Sequence, residues 1–135
     1  MAALTADRNT PRKDGVLFER PVGANKKIYA GALVVLNGGY AEPGTTATGL
    51  VADGRAEAQV DNTGGAAGAK TVPVRKGVFR FNNSAAADAI TAAEIGTDCY
   101  IVDDNTVAKT DGGTTRSKAG RVVDVDAQGV WVEIK

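Results

Sequence analysis

Apolar and polar residues alternate in short runs from Val16 to the end of the chain, and turn residues separate the runs. A period of two places successive side chains on opposite faces of a β-strand. Strands are therefore predicted at 16–20, 27–36 with a break at Gly31, 40–41, 48–51, 55–61, 71–75, 78–81, 99–102, 106–109, 120–125 and 130–135. Runs spaced by roughly 8–12 residues with glycine-rich turns favour an all-β fold, a small barrel or a sandwich.

Two glycine-containing turns and one short helix complete this prediction. Asn37-Gly38-Gly39 predicts a tight turn after the longest apolar run, because Asn and Gly tolerate positive φ. Asp53-Gly54 is interpreted in the same way, as a hairpin turn between two strands. The only helical pattern lies at 84–95, where Thr91 and Glu94 have the spacing of a capping box. One short helix is therefore predicted near 85–95.

The first fifteen residues differ from the rest because they contain no strand pattern and, after Met1, only one large apolar residue, Leu4. Such a segment buries too little surface to offset an ordering cost of roughly 1–2 kcal/mol per residue. Residues 1–15 are predicted to form a flexible N-terminal arm, and residues 16–135 a single β domain. The arm is either a tail that binds nothing or a strap that becomes ordered on a partner.

As a strap, the arm reaches about 50 Å when extended, and it can add as a strand to an exposed sheet edge. The residues that we expect to contact the partner are Thr5, Asp7, Arg8, Asn9, Thr10, Arg12 and Lys13.

Composition and charge point to association with other proteins. Hydrophobic residues make up 43% of the chain, but 23 of them are Ala, so the core is thin and subunit contacts can supply buried area. The sixteen basic and sixteen acidic residues are unevenly placed, with a net charge of +3 in residues 1–27 and −3 in the remainder. Three net charges are few beside the roughly six to ten phosphate contacts of a DNA-binding protein, which favours an acidic protein surface over nucleic acid.

The residue types for common catalytic and metal sites are scarce. The chain has no His, which excludes His-based triads and His metal ligands. Its single cysteine, Cys99, lies in a predicted strand and is expected to be a buried structural thiol. The segment 64–71 differs from a phosphate-binding Walker A loop by Ala69, and a strand pattern follows it instead of a helix, so a flexible loop is predicted. The acidic groups at 103–105 and 124–126 are interpreted as turns and not as calcium sites.

Neither a cofactor nor a metal is expected, and an enzyme acting on a carbohydrate or a nucleotide is the least favoured class. No segment approaches the roughly 20 apolar residues of a membrane span, and the start lacks the pattern of a signal peptide. We therefore expect a soluble protein made in a cytoplasm, with no membrane partner.

Trp131 is predicted to lie on the polar face of the last strand. In the last strand Val130, Val132 and Ile134 share one face, which places Trp131 with Glu133 on the polar face. A tryptophan in that position suits a subunit contact or the rim of an interface, and a small satellite cluster is the alternative.

Five segments, taken together, carry a resemblance to a known family: 22–36, 72–81, 95–104, 119–124 and 129–134. Each is rich in Gly and Val, and their order and spacing resemble those of the small capsid decoration, or cement, proteins of tailed bacteriophages. The resemblance covers most of the chain after residue 20.

The resemblance implies a non-enzymatic homotrimer with a Gly-rich, β-tulip-like all-β body. Such a protein lies in the virion, on the outer capsid surface of the expanded head, and binds the major capsid protein. It implies that the N-terminal arm contacts the capsid by strand addition. Nucleic acid and membrane are not expected as partners, on the charge and the short apolar runs described above. Another virion component, such as a head-fibre base or a tail-associated β adaptor, is the alternative.

Overall fold

The chain folds almost entirely into β-strands, in a computed structural model that describes residues 2–135. The strands are β1 (Leu17–Pro21), β2 (Lys27–Ile28), β3 (Leu33–Asn37), β4 (Tyr40–Pro43), β5 (Val51–Ala56), β6 (Val60–Asp61), β7 (Thr71–Arg75), β8 (Gly77–Asn83), β9 (Asp98–Ile101), β10 (Thr106–Ala108), β11 (Lys118–Asp126) and β12 (Gly129–Ile134). Two 3-10 turns, Ala86–Asp88 and Ala92–Glu94, are the only helical pieces between residues 2 and 135. The all-β fold predicted from the sequence is confirmed.

The strands form a five-stranded sheet beside a closed five-stranded barrel. The sheet has the order β1-β7-β5-β3-β4, the barrel has the order β10-β8-β12-β11-β9, and β2 pairs with β6 in a small third sheet. Every pair in the sheet and the barrel is antiparallel except β10 with β8. Because β7 belongs to the sheet and β8 to the barrel, the chain passes from one unit to the other at Lys76.

Strand β3 lies between two hydrophobic cores. Leu33 and Val35 pack into the barrel core with Phe79, Phe81 and Val132, whereas Val34 packs into a second core on the opposite face. That second core also contains Val22, Ile28, Ala32, Ala41, Ala56, Val72 and Val74. A strand buried on both faces needs a continuous apolar run instead of an alternating one, which explains the sequence of β3.

The interpretation of Asp53-Gly54 as a hairpin turn is wrong. Both residues lie inside β5, and the pairing with β3 skips Asp53, so the strand contains a β-bulge. Gly54 has a φ of 148°, and a Cβ at this position would clash with the carbonyl oxygen of Arg75. Asp and Gly occur together both in turns and in bulges, so the long-range contacts of Asp53, described below, decide between the two.

The single helix predicted near 85–95 is replaced by the two 3-10 turns. Ile90, between them, is buried in the barrel core, and the Asn83 side chain bonds both its backbone N–H and its carbonyl oxygen. This clamp holds Ile90 outside a helix. The predicted capping box is present, with the Thr91 N–H donating to Glu94 Oε1 at 2.7 Å.

We expect Gly120→Ala to lower the free energy of unfolding by about 2 kcal/mol or more, because a Cβ there overpacks the barrel wall. It would clash with the backbone carbonyl of Glu133 in the adjacent strand and lie 2.9 Å from Val132 Cγ1. Gly23→Ala is the matched control, since the nearest atoms there belong to the flexible side chains of Glu42 and Lys26, at 3.2–3.3 Å. Urea unfolding compares the two variants, and equal losses would contradict the prediction.

Candidate functional site

The seven arm residues proposed from the sequence are all exposed. Thr5, Asp7, Arg8, Asn9, Thr10, Arg12 and Lys13 lie in the segment 2–15, of which every residue is exposed and none belongs to a strand. The Thr10 N–H donates to the Arg8 carbonyl oxygen at 3.0 Å. The Lys13 ammonium lies 5.9 Å from the centroid of the Phe18 ring. The arm therefore presents its backbone and its charges to solvent.

The arm is rooted at Phe18, in the first strand. Besides Lys13, the Arg20 guanidinium and the Lys76 ammonium lie 4.5 and 5.7 Å from the centroid of this ring. Cations over an aromatic face are attracted by its quadrupole. Three positively charged side chains therefore lie around the half-buried Phe18 ring, where the arm begins.

Asp53 forms ion pairs with two of these cations, Arg20 and Lys76. We call these three residues the Asp53 anchor. The Asp53 side chain is 3% exposed and accepts bonds from Arg20 Nε at 2.7 Å, Arg20 Nη2 at 3.0 Å and Lys76 Nζ at 3.0 Å. Burial opposes the charge of Asp53, but the hydrogen bonds from Arg20 and Lys76 outweigh it and lower the pKa of the carboxyl group. Lys76 Nζ also approaches the Asp53 and Lys135 carbonyl oxygens at 3.1 and 3.4 Å.

The anchor therefore joins β1, β5 and the end of β12 at the base of the arm. Sequence reasoning missed it because Arg20 and Lys76 stand 33 and 23 residues from Asp53.

Trp131 lies on the outer face of the barrel, as predicted. Its ring is half-buried, its indole N–H donates to Asp126 Oδ2 at 2.8 Å, and the Arg80 guanidinium lies 5.6 Å from the ring centroid. The pKa of Asp126 is lowered, first by the indole bond and then by the backbone N–H of Gln128. The indole is thus held in one orientation, with a cation beside it.

A second group of charged side chains, on the five-stranded sheet, lies next to the outer face of the barrel that contains Trp131. Glu57 accepts hydrogen bonds from Arg55 Nη2, at 2.8 Å, and from Arg75 Nε. Burial alone would raise the pKa of Glu57, but the bonds from Arg75 and Arg55 lower it. The Arg55 guanidinium also covers the Phe79 ring at 4.7 Å, and it lines a shallow depression of about 300 Å³ with Val78, Arg80 and Trp131.

Exposed apolar side chains connect Trp131 with the arm. Val16, Leu17 and Val78 are 43%, 49% and 45% exposed. Val16 and Glu133 line one depression of about 280 Å³, and Glu133 pairs with Val78 across the barrel strands. We call the surface formed by Val16, Val78, Arg80 and Trp131 the arm-root face. Its mixture of Trp, Arg and aliphatic residues is typical of protein–protein interfaces.

A further groove, of about 470 Å³, lies where the sheet meets the barrel. Leu50, Val51, Ala119 and Ile134 provide its apolar residues, and Lys118, Arg121, Lys135, Asp98 and Glu133 contribute charges of both signs. These residues come from 50–52, 98 and 118–135, which are far apart in the chain, so the sequence alone did not place them together.

The acidic group 124–126 contacts the arm-root face through the bond from Trp131 to Asp126, and the remaining candidate sites form a loop, a buried thiol and a turn. In the segment 64–71, residues 64–70 form a loop and Thr71 begins strand β7, and Lys70 Nζ donates to the Asp61 carbonyl oxygen at 2.7 Å. Cys99 is fully buried, and burial raises the pKa of its thiol to about 12. Asp103 caps its turn by accepting the Asn105 N–H at 2.8 Å.

Neither a group of side chains placed to hold a metal nor a helix able to span a membrane occurs in the described part of the chain. Across residues 2–135, no group of three or more His, Cys, Asp or Glu side chains is placed to hold a metal ion. None of the helical pieces in those residues has the length and apolar character to cross a membrane. Comparison with protein-family models, with curated proteins and with solved structures gives no match for this chain.

Proposed function

We propose that this chain is a capsid decoration, or cement, protein of a tailed bacteriophage, which binds the outer surface of the expanded head and bridges capsid subunits. The observation that carries the proposal is an exposed arm that begins next to the arm-root face, on a β body with two hydrophobic cores. A cement protein needs many repeated contacts over broad surfaces and not one deep pocket. On a lattice, effective concentration then multiplies modest affinities.

The arm supplies the capsid contact in this proposal. Its backbone forms no strand within residues 2–15, so its N–H and C=O groups, apart from the bonded Thr10 N–H and Arg8 carbonyl oxygen, can add to a sheet edge of the major capsid protein. The charges of Arg8, Arg12 and Lys13 favour an acidic surface beside that edge. An arm that becomes ordered only on docking binds when the lattice has reached the correct geometry.

The Asp53 anchor gives the arm a rigid attachment. Tension on the arm passes first to β1, which Arg20 ties to β5 through Asp53. Lys76 connects the same carboxylate to the carbonyl oxygen of Lys135 at the end of the barrel. A cement protein that resists internal pressure needs such a link between its capsid contact and its core, and a homotrimer multiplies the number of links.

The proposal is tested by imaging. Purified chain is added to expanded heads of the source phage that were produced without it, and the particles are examined by cryo-electron microscopy. Regular density over the outer capsid surface is expected. Density confined to a vertex or to the tail would instead identify a head-fibre base or a tail adaptor, and heads that stay bare would overturn the proposal.

A further inference from the structure

A shallow depression of about 420 Å³ lies where two turns meet at the start of β3. One turn spans 29–32 and is closed by a hydrogen bond between its first and last residues, with Gly31 at the positive φ, 87°, that a type II turn requires. The other turn spans 103–105 and precedes β10. The Leu33 N–H donates to the Asp104 carbonyl oxygen at 2.8 Å. The backbone therefore holds the two turns side by side.

Three side chains that line the depression offer three different kinds of contact. Tyr29 presents an aromatic ring and is 56% exposed. The Asp104 carboxylate is half-buried, and within residues 2–135 it forms no salt bridge and accepts no hydrogen bond from another residue. The side-chain amide of Asn105 bonds to no protein group in the same residues. An apolar ring therefore lies next to an acceptor and an amide that are both available to a ligand.

The charges around the depression favour a neutral ligand. Burial, and then the charge of Asp103, raise the pKa of Asp104, so this carboxylate needs hydrogen-bond donors that the chain does not supply. A cation is disfavoured as the donor, because Lys27 Nζ already lies 5.0 Å from the centroid of the Tyr29 ring and repels a second positive charge. Lys27 itself does not line the depression. Hydroxyl groups are neutral donors that fit both conditions.

We propose that this depression binds a pyranose unit of a carbohydrate. The C–H face of the sugar packs against the Tyr29 ring, and the Asp104 carboxylate accepts hydrogen bonds from two neighbouring hydroxyl groups. The Asn105 amide, which both donates and accepts, bonds to a hydroxyl beside them. The site binds without cleaving, because glycoside hydrolysis uses a pair of carboxyl groups and Asp104 is the one carboxylate among the six described residues that line the depression.

The depression lies at the opposite end of β8 from the arm. Gly77, the first residue of β8, lines a depression with Gly15 and Val16 at the base of the arm. Near the other end of β8, the Asn82 N–H donates to the Asn105 carbonyl oxygen at 2.8 Å. Five strand residues separate these ends by about 17 Å. The sugar site therefore stays open when the arm is bound to a partner, and sugar binding itself does not rest on the proposed function.

Titration followed by NMR tests the site on the full chain. Methyl glycosides of glucose, galactose and mannose are added separately to isotope-labelled protein, because each is a neutral pyranose with neighbouring hydroxyl groups. At least one is expected to shift the backbone amide signals of residues 29–32, 104 and 105, with a Kd of the order of 1 mM. The amide of acetylarginine, added in the same way, tests a cation of similar size.

Four variants assign the contacts. Tyr29→Ala removes the ring and Asp104→Asn removes the charge from the hydrogen bonds, so each should weaken binding by about tenfold or more. Tyr29→Phe keeps the ring and should bind as the wild type does. The matched control is Asp103→Asn, since the neighbouring Asp103 does not line the depression. This control should keep the wild-type affinity.

Unchanged signals with all three glycosides, at about a hundred times the expected Kd, overturn the proposal. Larger shifts at the same residues with the acetylarginine amide would assign the depression to a basic side chain of a protein partner, and they overturn it as well. So does an Asp103→Asn control that loses as much affinity as Asp104→Asn. The titration uses the free chain without heads, so its result is independent of the imaging that tests the proposed function.

Discussion

Asp53→Asn is expected to lower the free energy of unfolding by about 3 kcal/mol. Removing one partner of a buried ion pair leaves the other charge uncompensated, at a typical cost of roughly 3–5 kcal/mol. Here the lower end applies, because Arg20 and Lys76 keep 26% and 20% of their side-chain surface in solvent. Against a total stability of about 5–15 kcal/mol for a domain, this is the largest single-residue effect that we expect. Urea unfolding followed by the fluorescence of Trp131 measures it.

A surface ion pair provides the control for Asp53. Asp98 lies 3.4 Å from Lys118 Nζ, and its side chain is 50% exposed. Exposed pairs contribute roughly 0–1 kcal/mol, so Asp98→Asn should change the unfolding midpoint little. If Asp53→Asn proves as mild as Asp98→Asn, the anchor is not a stabilising element.

The Asp53 anchor also makes the free energy of unfolding depend on pH, and Asp53→Asn removes this dependence. The folded pKa of Asp53 lies below its ordinary value of 3.8, so the folded state favours the ionised form. Its contribution to stability is therefore complete above about pH 4 and is lost as pH falls through the folded pKa. Between pH 5 and pH 2 the wild type should lose more stability than Asp53→Asn, and parallel profiles would contradict this.

The parts of the fold that depend on local pattern were predictable, and those that depend on distant contacts were not. The alternation in β8 and β12 predicted which side chains face the barrel core, and Trp131 faces outward as expected. The tight turn predicted at Asn37-Gly38-Gly39 is present, with Gly38 and Gly39 as its two loop residues, at φ of 58° and 88°. The closure of the barrel by the pairing of β10 with β8, and the division of β3 between two cores, join residues far apart in sequence.

The candidate surface also has parts that the local sequence predicted and parts that depend on distant contacts. The sequence indicated an arm and an outward tryptophan, but it did not indicate what connects them. That connection passes through Val16 and Val78, which look like ordinary strand residues until the sheet and the barrel place them between the arm and Trp131. It also depends on Asp53, whose local sequence favours a turn and whose role is fixed by Arg20 and Lys76.

Deletion of residues 2–14 is expected to weaken capsid binding by about a hundredfold or more while the body stays folded. Each copy then loses the contact in which the arm adds as a strand to the capsid protein. A copy that detaches at one contact also has no second contact to hold it at high effective concentration, so it rebinds less often. The body keeps both cores, since no residue before Val22 belongs to either of them. Co-sedimentation with undecorated heads measures the binding, and the unfolding midpoint confirms that the body is intact.

Two further arm variants separate the contribution of the backbone from that of the side chains. Reversing Arg8, Arg12 and Lys13 to Glu keeps the length and the backbone of the arm, so binding should weaken most at low salt, where charge steering is strongest. Replacing residues 2–14 by Gly and Ser removes the side chains and raises the entropy of ordering, so binding should approach that of the deletion. If the deleted chain decorates heads as the wild type does, the arm is a tail without function, and the capsid contact belongs to the body.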